Sequence, residues 1–480
     1  QLLPGDGRVG AALVADARTA AVMFTGSIEV ARLIRRQLTA RLSPEGRTMP
    51  LIAETGGMNA MVVDSSALAE QVVGDAIASA FDSAGQRCSA LRILCLQEDV
   101  AGRVLAMLKG ALAELSVGNP GELATDVGPV ISEEARQGIV AHIEAMRGRG
   151  HRVEQLPLPH GARLGSFVAP TLIEIDRIAD VGREVFGPVL HVMRYKREHL
   201  DRIIDDINGT GYGLTFGLHT RIDETIARVT ARIGAGNIYV NRNVIGAVVG
   251  VQPFGGHGLS GTGPKAGGPL YLLRLVRAGA VPAVPGAGTA GPALRAAHDY
   301  CAWLQSCGNQ AVSRRCRHYI EISPLGMTQD LPGPVGERNV YSLRARGRIA
   351  AMPGTETGLL LQIGAALATG NQVVLESRAD GGSAFASLPT SVAAQIAVVA
   401  DFASAGPLAG ILFEGDAESL RAIEGRAAEL PGALVAVHAL GVDELARGVP
   451  DYPLHWLVGE CSVSTNTAAA GGNASLMTIG

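Results

Sequence analysis

The chain of 480 residues is poor in cysteine, with six in all. Six thiols spread over such a length do not form a disulfide framework, which points to a reducing compartment. A C-x-x-C pair is also missing. His298, Cys301, Cys307, Cys316 and His318 gather in sequence, but at irregular spacing rather than in the tight pairs of a zinc site, and no metal is expected. The 41 Lys+Arg are dispersed and the net charge is -4, so the segment lacks the basic stripe of a nucleic-acid groove. Nor is there an uninterrupted membrane span. The most apolar stretch, AQIAVVADFASAGPLAGILF, contains Asp401 and Pro407 and reads as core strand and helix. Nothing at the start resembles a secretory signal, and a cytoplasmic location is expected. The opening GDGRVG has the G-x-G-x-x-G spacing but follows no strand, so it gives no support as a dinucleotide fingerprint.

What the chain does have is 47% hydrophobic residues, enough for two or three packed domains. QLLPGDGRVG opens as a glycine-rich loop. AAVMF then reads as a buried strand, IEVARLIRRQL as an amphipathic helix, PLIAE as a strand, DSSALAEQVVGDAIASAF as containing a helix, and LRILCL as a strand with a helix after Asp99. Such alternation predicts a parallel α/β sheet. Residues 277 to 293, RAGAVPAVPGAGTAGPA, have no period and read as a linker. Beyond it LLLQIGAALATG (helix) and NQVVLES, ALVAVHAL and HWLVGE (strands) predict a smaller α/β domain, ending in the polar tail SVSTNTAAAGGNASLMTIG.

Three short stretches carry chemistry. In FTGSIEVAR a strand runs through Thr25-Gly26-Ser27 into a helix, which puts Ser27 at an N-cap where backbone N–H groups can face an anion such as a pyrophosphate; a plain capped helix has the same sequence. In LIAETGGMNAM, Glu54 stands at a strand end before two glycines, as either a general base or a solvated carboxylate. In AGQRCSALRI, Cys88 is either a small buried hydrophobe or a nucleophile. REVFGPVL, by itself, is a turn.

In chain order FTGS, ETGG, GQRCSALR, EVFGPV, GNIYVNR and QPFGGHGLSGTG resemble the motif series of the aldehyde dehydrogenase superfamily, over residues 1 to 276. The resemblance implies an α/β, aldehyde dehydrogenase-like fold in four segments. These are the C-terminal part of an incomplete Rossmann-type NAD-binding domain (1–57), an α/β catalytic domain (58–262), a substrate anchor loop and linker (263–300), and a smaller noncatalytic domain of the same fold (301–480). It makes Cys88 the nucleophile that forms a hemithioacetal and then a thioester, and Glu54 the base that activates water to hydrolyse it. NAD is the implied cofactor. Thr25, Gly26, Ser27 and Gly56 would line its site, Glu184 would hold the nicotinamide ribose and Phe186 would abut the nicotinamide. The Cys88 N–H would form half of an oxyanion hole.

A narrower likeness selects the substrate. CSA at 88–90 with SGTGPKAGGPLYLLR at 260–274 resembles the glutamate semialdehyde dehydrogenases, above all those of the bifunctional proline utilization A family, and the tail resembles that family's long forms. Ser89, Gly267 and Gly268 would then hold the substrate's α-carboxylate, and a homo-oligomer is expected. The chain opens on Gln1, as though within the nucleotide domain. The family's oxyanion asparagine, its adenosine-binding residues and its FAD-dependent proline dehydrogenase domain are therefore expected upstream, and residues 1 to 480 alone are expected neither to bind NAD tightly nor to turn over. Two departures stand out: Met58 replaces the usual lysine or glutamine after ETGG, and Glu376 replaces a cofactor-binding lysine in the second copy. Another carboxylated semialdehyde, such as succinate semialdehyde, is the alternative substrate. A noncatalytic scaffold is the alternative to an enzyme, although it would predict loss of Cys88 or Glu54.

Overall fold

The spacing of IEVARLIRRQLT produces the helix Ile28–Thr39, whose buried positions Ile28, Ala31, Arg35 and Leu38 recur every three or four residues. Ser27 closes its N-terminus by accepting a hydrogen bond from the Val30 N–H at 3.3 Å. The computed structural model describes residues 1–276, 291–377, 385 and 387–468. By compactness it falls into two units. One comprises residues 1–55, 257–329 and 341–461; the other comprises 56–256, 330–340 and 462–480.

In the first unit, Val22–Thr25 and Leu51–Glu54 form a parallel two-stranded sheet in which Thr25 faces Glu54. The same unit contains a five-stranded, fully parallel sheet. Its strands Arg348–Met352, Gln372–Glu376, Ile396–Val399, Gly410–Glu414 and Val437–Leu440 lie in the spatial order 3-2-1-4-5, the doubly wound order of a Rossmann fold. Its core gathers Ala350, Val374, Phe402, Ile411, Phe413, Leu420 and Val437. The helix Glu356–Ala368 is apolar on every side and accordingly buried from Gly358 onward.

The two sheets of this unit repeat one device. FTGSIE at 24–29 and FEGDAE at 413–418 each end a strand and cap a twelve-residue helix three positions ahead, Ser27 to Val30 and Asp416 to Ser419. In both, a Cβ on the middle glycine would strike the preceding phenylalanine ring, at 2.4 Å for Gly26 and 2.6 Å for Gly415. The two capped helices pack together through arginines: Arg35 forms a buried ion pair with Glu424, Arg36 pairs with Glu429 at 2.9 Å, and Arg32 donates to the Gly432 carbonyl.

The second unit is organised by a sheet in which the strands 237–240, 215–219, 60–63, 93–97, 189–195, 171–174 and 152–155 lie in that order. From Asn237–Val240 through Thr215–His219, Ala60–Val63, Ile93–Gln97 and Val189–Tyr195 the pairing is parallel. Every residue of Ile93–Gln97 is buried, as in a strand covered on both faces. The flanking helices Ala69–Phe81 and Glu98–Ala113 stand where the sequence puts them.

Three local expectations are corrected. PGDGRVG is not a loop: a helix runs Gly7–Ala15, because the Asp6 carboxylate accepts from the Arg8 N–H and caps it. The apolar stretch 394–413 contains two strands joined by a short 3-10 turn at Phe402–Ser404, and no helix. Asp401 caps that turn and Gly406 with Pro407 follow it. The polar tail begins as strand, since Val458–Asn466 pairs in parallel with Asn237–Val240, with Ser462 facing Asn237. Most of the linker 277–293, and the tail from 469, lie outside the described residues. No helix among the described residues is long and apolar enough to cross a membrane.

Candidate active site

In the second unit the helix Ala69–Phe81 ends in a tight reversal, and Cys88 rides on the segment that leads back into Ile93–Gln97. The reversal puts three consecutive residues in the left-handed region, Ser83 and Ala84 at φ 53° and Gly85 at φ 66°. Left-handed geometry disfavours Ser and Ala, so the turn holds strain that its surroundings must stabilise. They do so densely. A Cβ on Gly85 would lie 2.2 Å from the Gly187 carbonyl oxygen, which fixes that residue as glycine. The Arg92 guanidinium donates to the carbonyls of Gly85 at 2.7 Å, Arg87 at 3.1 Å and Gly187 at 3.2 Å. The Asn59 amide donates to the carbonyls of Cys88 at 2.7 Å and Ala90 at 2.9 Å, while its oxygen accepts from the Thr215 N–H. Cys88 is left half-buried on a rigid backbone.

Arg92 joins this turn to Glu184. Its guanidinium is buried, pairs with the Glu184 carboxylate at 3.2 Å, and lies 5.4 Å from the centre of the Phe186 ring, itself 44% exposed. Burial pulls the Arg92 pKa down, and the charge of Glu184 opposes that. A Cβ on Gly56 would come within 1.7 Å of Glu184 Oε2, so glycine is required for the carboxylate to reach this backbone. Met58 is buried, and nothing in the structure explains its replacement of a polar residue.

In the first unit Thr25, Gly26 and Ser27 are exposed at the end of Val22–Thr25 and the start of Ile28–Thr39. The Gly26 N–H donates to the Glu54 carbonyl at 3.1 Å. Glu54 bridges to Gly261, and the next residue, Thr55, is tied to the carbonyls of Ser260 and Leu259. Glu54 therefore leads directly into the 260–268 segment. There Gly267 is left-handed at φ 72° and exposed, while the Gly268 N–H closes a turn onto the Lys265 carbonyl at 3.0 Å. Ser89, in the second unit, is buried, and its carbonyl accepts from Thr215 Oγ1.

The second copy of the strand–turn–helix device turns its carboxylates inward. Glu414, the counterpart of Thr25, accepts from the N–H groups of Gly354 and Thr355 at 3.0 and 2.9 Å, at the N-terminus of Glu356–Ala368. A Cβ on Gly358 would be 1.7 Å from its Oε2. The place that a bound phosphate would take at a helix start is thus filled by a side chain. Glu376 pairs with Arg426 and accepts from the Phe402 N–H. The FEGDAE echo of FTGSIE is the sequence signal for Glu414, as Asn59 shortly after ETGG is for the Cys88 brace. Of the remaining cysteines, Cys95, Cys301, Cys316 and Cys461 are buried, and burial pushes the Cys95 and Cys301 thiols up to about 12 and about 11. Among the described residues no cluster could hold a metal ion. A cavity of about 310 Å³ bounded by His151, Arg152, Glu174, Asp176 and Arg194 includes none of the residues singled out above.

The family comparison agrees with this arrangement: the chain belongs to the aldehyde dehydrogenase family, which matches residues 1–280. Within it, the bifunctional protein PutA of Rhizobium meliloti is 59% identical over 481 residues, covering 100% of this chain and 39% of that protein. A proline utilization A (PutA) structure from Corynebacterium freiburgense covers 95% of this chain and 43% of its own, at 27% identity and a TM-score of 0.71. A 1-pyrroline-5-carboxylate dehydrogenase from Thermus with bound NAD covers 57% and 53%, at 35% identity and a TM-score of 0.52. The chain thus spans well under half the length of the PutA relative from Rhizobium meliloti.

Proposed function

We propose that this chain oxidises L-glutamate γ-semialdehyde to L-glutamate with NAD, through a thioester on Cys88, as the second step of proline breakdown within a bifunctional protein. The observation that carries the reading is the braced, left-handed turn that leaves Cys88 half-buried. Similarity to PutA and to 1-pyrroline-5-carboxylate dehydrogenases supports the choice of substrate.

The residues present fit NAD. Exposed Thr25-Gly26-Ser27 starts a helix, where backbone N–H groups favour phosphate, and Glu184, steadied by Arg92, offers an acceptor for ribose hydroxyls. When bound, NAD accepts the two electrons and the hydrogen leaving the aldehyde carbon. Cys88 Sγ, as thiolate, adds to the carbonyl carbon, and its own backbone N–H donates to the oxygen as that becomes an anion. After oxidation the acyl group remains on sulfur. Glu54 takes a proton from water, the water oxygen bonds to the acyl carbon, and the C–S bond breaks to return the thiolate. Ser89 and the Gly267–Gly268 turn are assigned to the α-carboxylate. Residues 58–262 are the catalytic segment in this reading, and 301–480 a noncatalytic relative, supported by the inward-turned Glu376 and Glu414. The flavin of such bifunctional proteins is assigned outside residues 1–480, and the chain is expected to work as a homo-oligomer.

The test is Cys88→Ala in the complete protein. NADH formation from glutamate semialdehyde should fall by more than about a thousandfold, with the fold unchanged by circular dichroism. Activity within tenfold of the parent removes Cys88 from the mechanism.

A further inference from the structure

We propose that Glu460 is a positioning residue for the loop that holds the substrate carboxylate, an inference that rests on the function proposed above. Glu460 lies on the strand Val458–Asn466, far along the chain from the loop, yet its carboxylate sits inside the bend of residues 265–268. Its Oε2 accepts from the Lys265 N–H at 2.7 Å, and its Oε1 accepts from the Tyr341 hydroxyl at 2.7 Å. A Cβ on Gly268 would lie 2.7 Å from the same Oε1, so the glycine makes room for the carboxylate itself. The loop entrance is tied to the same region. Arg346 donates through Nη2 to the Thr262 carbonyl at 2.9 Å and through Nη1 to the Trp456 carbonyl at 3.0 Å.

The physical need for such a brace comes from the loop's composition. Gly267 can aim its backbone N–H at an anion because it lacks a side chain, but glycine also has the most conformational freedom to lose on being fixed. With the Gly268 N–H already used in its turn to Lys265, the orientation of the whole bend decides what the exposed Gly267 backbone presents. Lys265 is almost fully buried beside Glu460. Burial pulls its ammonium down to about 8, and the charges of Cys461, Glu460 and Glu54 oppose that. A purely structural counter-ion to Lys265 would affect every substrate alike. A positioning role separates carboxylated from uncharged aldehydes.

The experiment uses the full-length protein as parent, Glu460→Ala and Glu460→Gln, with steady-state kinetics on L-glutamate γ-semialdehyde and on propionaldehyde, NAD titrations and thermal unfolding. The alanine variant should raise KM for glutamate semialdehyde by about tenfold or more, as expected for misplaced donors to a charged group, while KM and kcat for propionaldehyde and KM for NAD stay within about twofold. Glutamine can accept from Lys265 and donate to the Tyr341 oxygen, so it should restore KM to within about threefold of the parent. Equal losses on both aldehydes, or a glutamine variant as impaired as alanine, overturn the proposal. So does an alanine variant that keeps the parent's preference for glutamate semialdehyde; there the substrate assignment survives and only Glu460 loses its role. A parent enzyme with no preference for the carboxylated aldehyde overturns both.

Discussion

Arg92 and Asn59 do most of the holding around Cys88. Arginine suits its place because one planar fork reaches three backbone carbonyls and Glu184 together, which a lysine ammonium cannot do. Arg92→Lys should therefore raise KM for NAD several-fold, since Glu184 loses its fixed partner, and lower Tm as well; NAD titration with thermal unfolding measures both. Thiol accessibility gives an independent check. Cys88 is half-buried and Cys307 exposed, whereas Cys95, Cys301, Cys316 and Cys461 are buried. An aromatic disulfide reagent should modify Cys88 and Cys307 in the folded protein and the others only after denaturant. Cys88→Ala should remove one of the two early equivalents, and an unchanged early count would mean that the sulfur is covered. Glu54→Gln should leave a first-turnover burst of NADH followed by slow release, because only deacylation needs the base.

At the level of elements, two contacts are decisive. Gly85→Ala combines a left-handed φ of 66° with a Cβ 2.2 Å from the Gly187 oxygen, so it should cost about 1–3 kcal/mol in stability and lower kcat as the Cys88 turn shifts. Urea unfolding and turnover, measured together, test this; a neutral result would show that the turn adjusts freely. The helices Ile28–Thr39 and Ala417–Ala428 meet through the buried Arg35–Glu424 pair. Removing one partner strands a buried charge, so Arg35→Met should cost about 3–5 kcal/mol, whereas Arg35→Met with Glu424→Leu should cost much less. A double-mutant cycle from urea midpoints reads the difference, and additive losses would mean that the pair is not coupled.

Across the whole molecule the buried and half-buried histidines set the response to acid. Burial holds His191 down to about 3, and His142, His219, His257 and His455 down to about 4. Unfolded, these rings take up protons near pH 6.5, while the folded protein resists doing so until well below pH 5. Their contribution is therefore fully present above about pH 6.5 and is lost as pH falls towards 4. Asp75, raised to about 6 by burial, works the other way, its penalty easing as pH falls through 6. Burial raises Asp82, Glu424 and Glu460 in the same direction and holds His438 well down with the other rings, and these four carboxyls do not offset six imidazoles. Urea midpoints should be level between pH 8 and 7 and then drop steadily to pH 4.5; a flat profile would contradict neutral buried histidines.

The same distinction between local and distant interactions divides what was legible beforehand. Periodicity located Ile28–Thr39, Leu51–Glu54, Ile93–Gln97 and Glu356–Ala368, because side chains within one strand or helix report the face it buries, whereas Val22–Thr25 is a strand as expected but not a buried one, with Met23 59% exposed. It failed at Gly7–Ala15, where two glycines masked the Asp6 cap, and at 394–413, where short strands and a buried helix look alike. The motif series identified the family and named Cys88, Glu54 and Glu184 as candidates, since residue type and order are properties of the sequence itself. Tertiary structure alone decided the strand order 3-2-1-4-5, the Asn59 and Arg92 brace, the Glu414 carboxylate at a helix start and the Glu460 contact inside the 265–268 bend. The physical reason is separation along the chain. Arg35 and the Val435 carbonyl it contacts are 400 positions apart, Lys265 and Glu460 are 195 apart, and no local preference encodes which distant partner a folded backbone brings within hydrogen-bond reach.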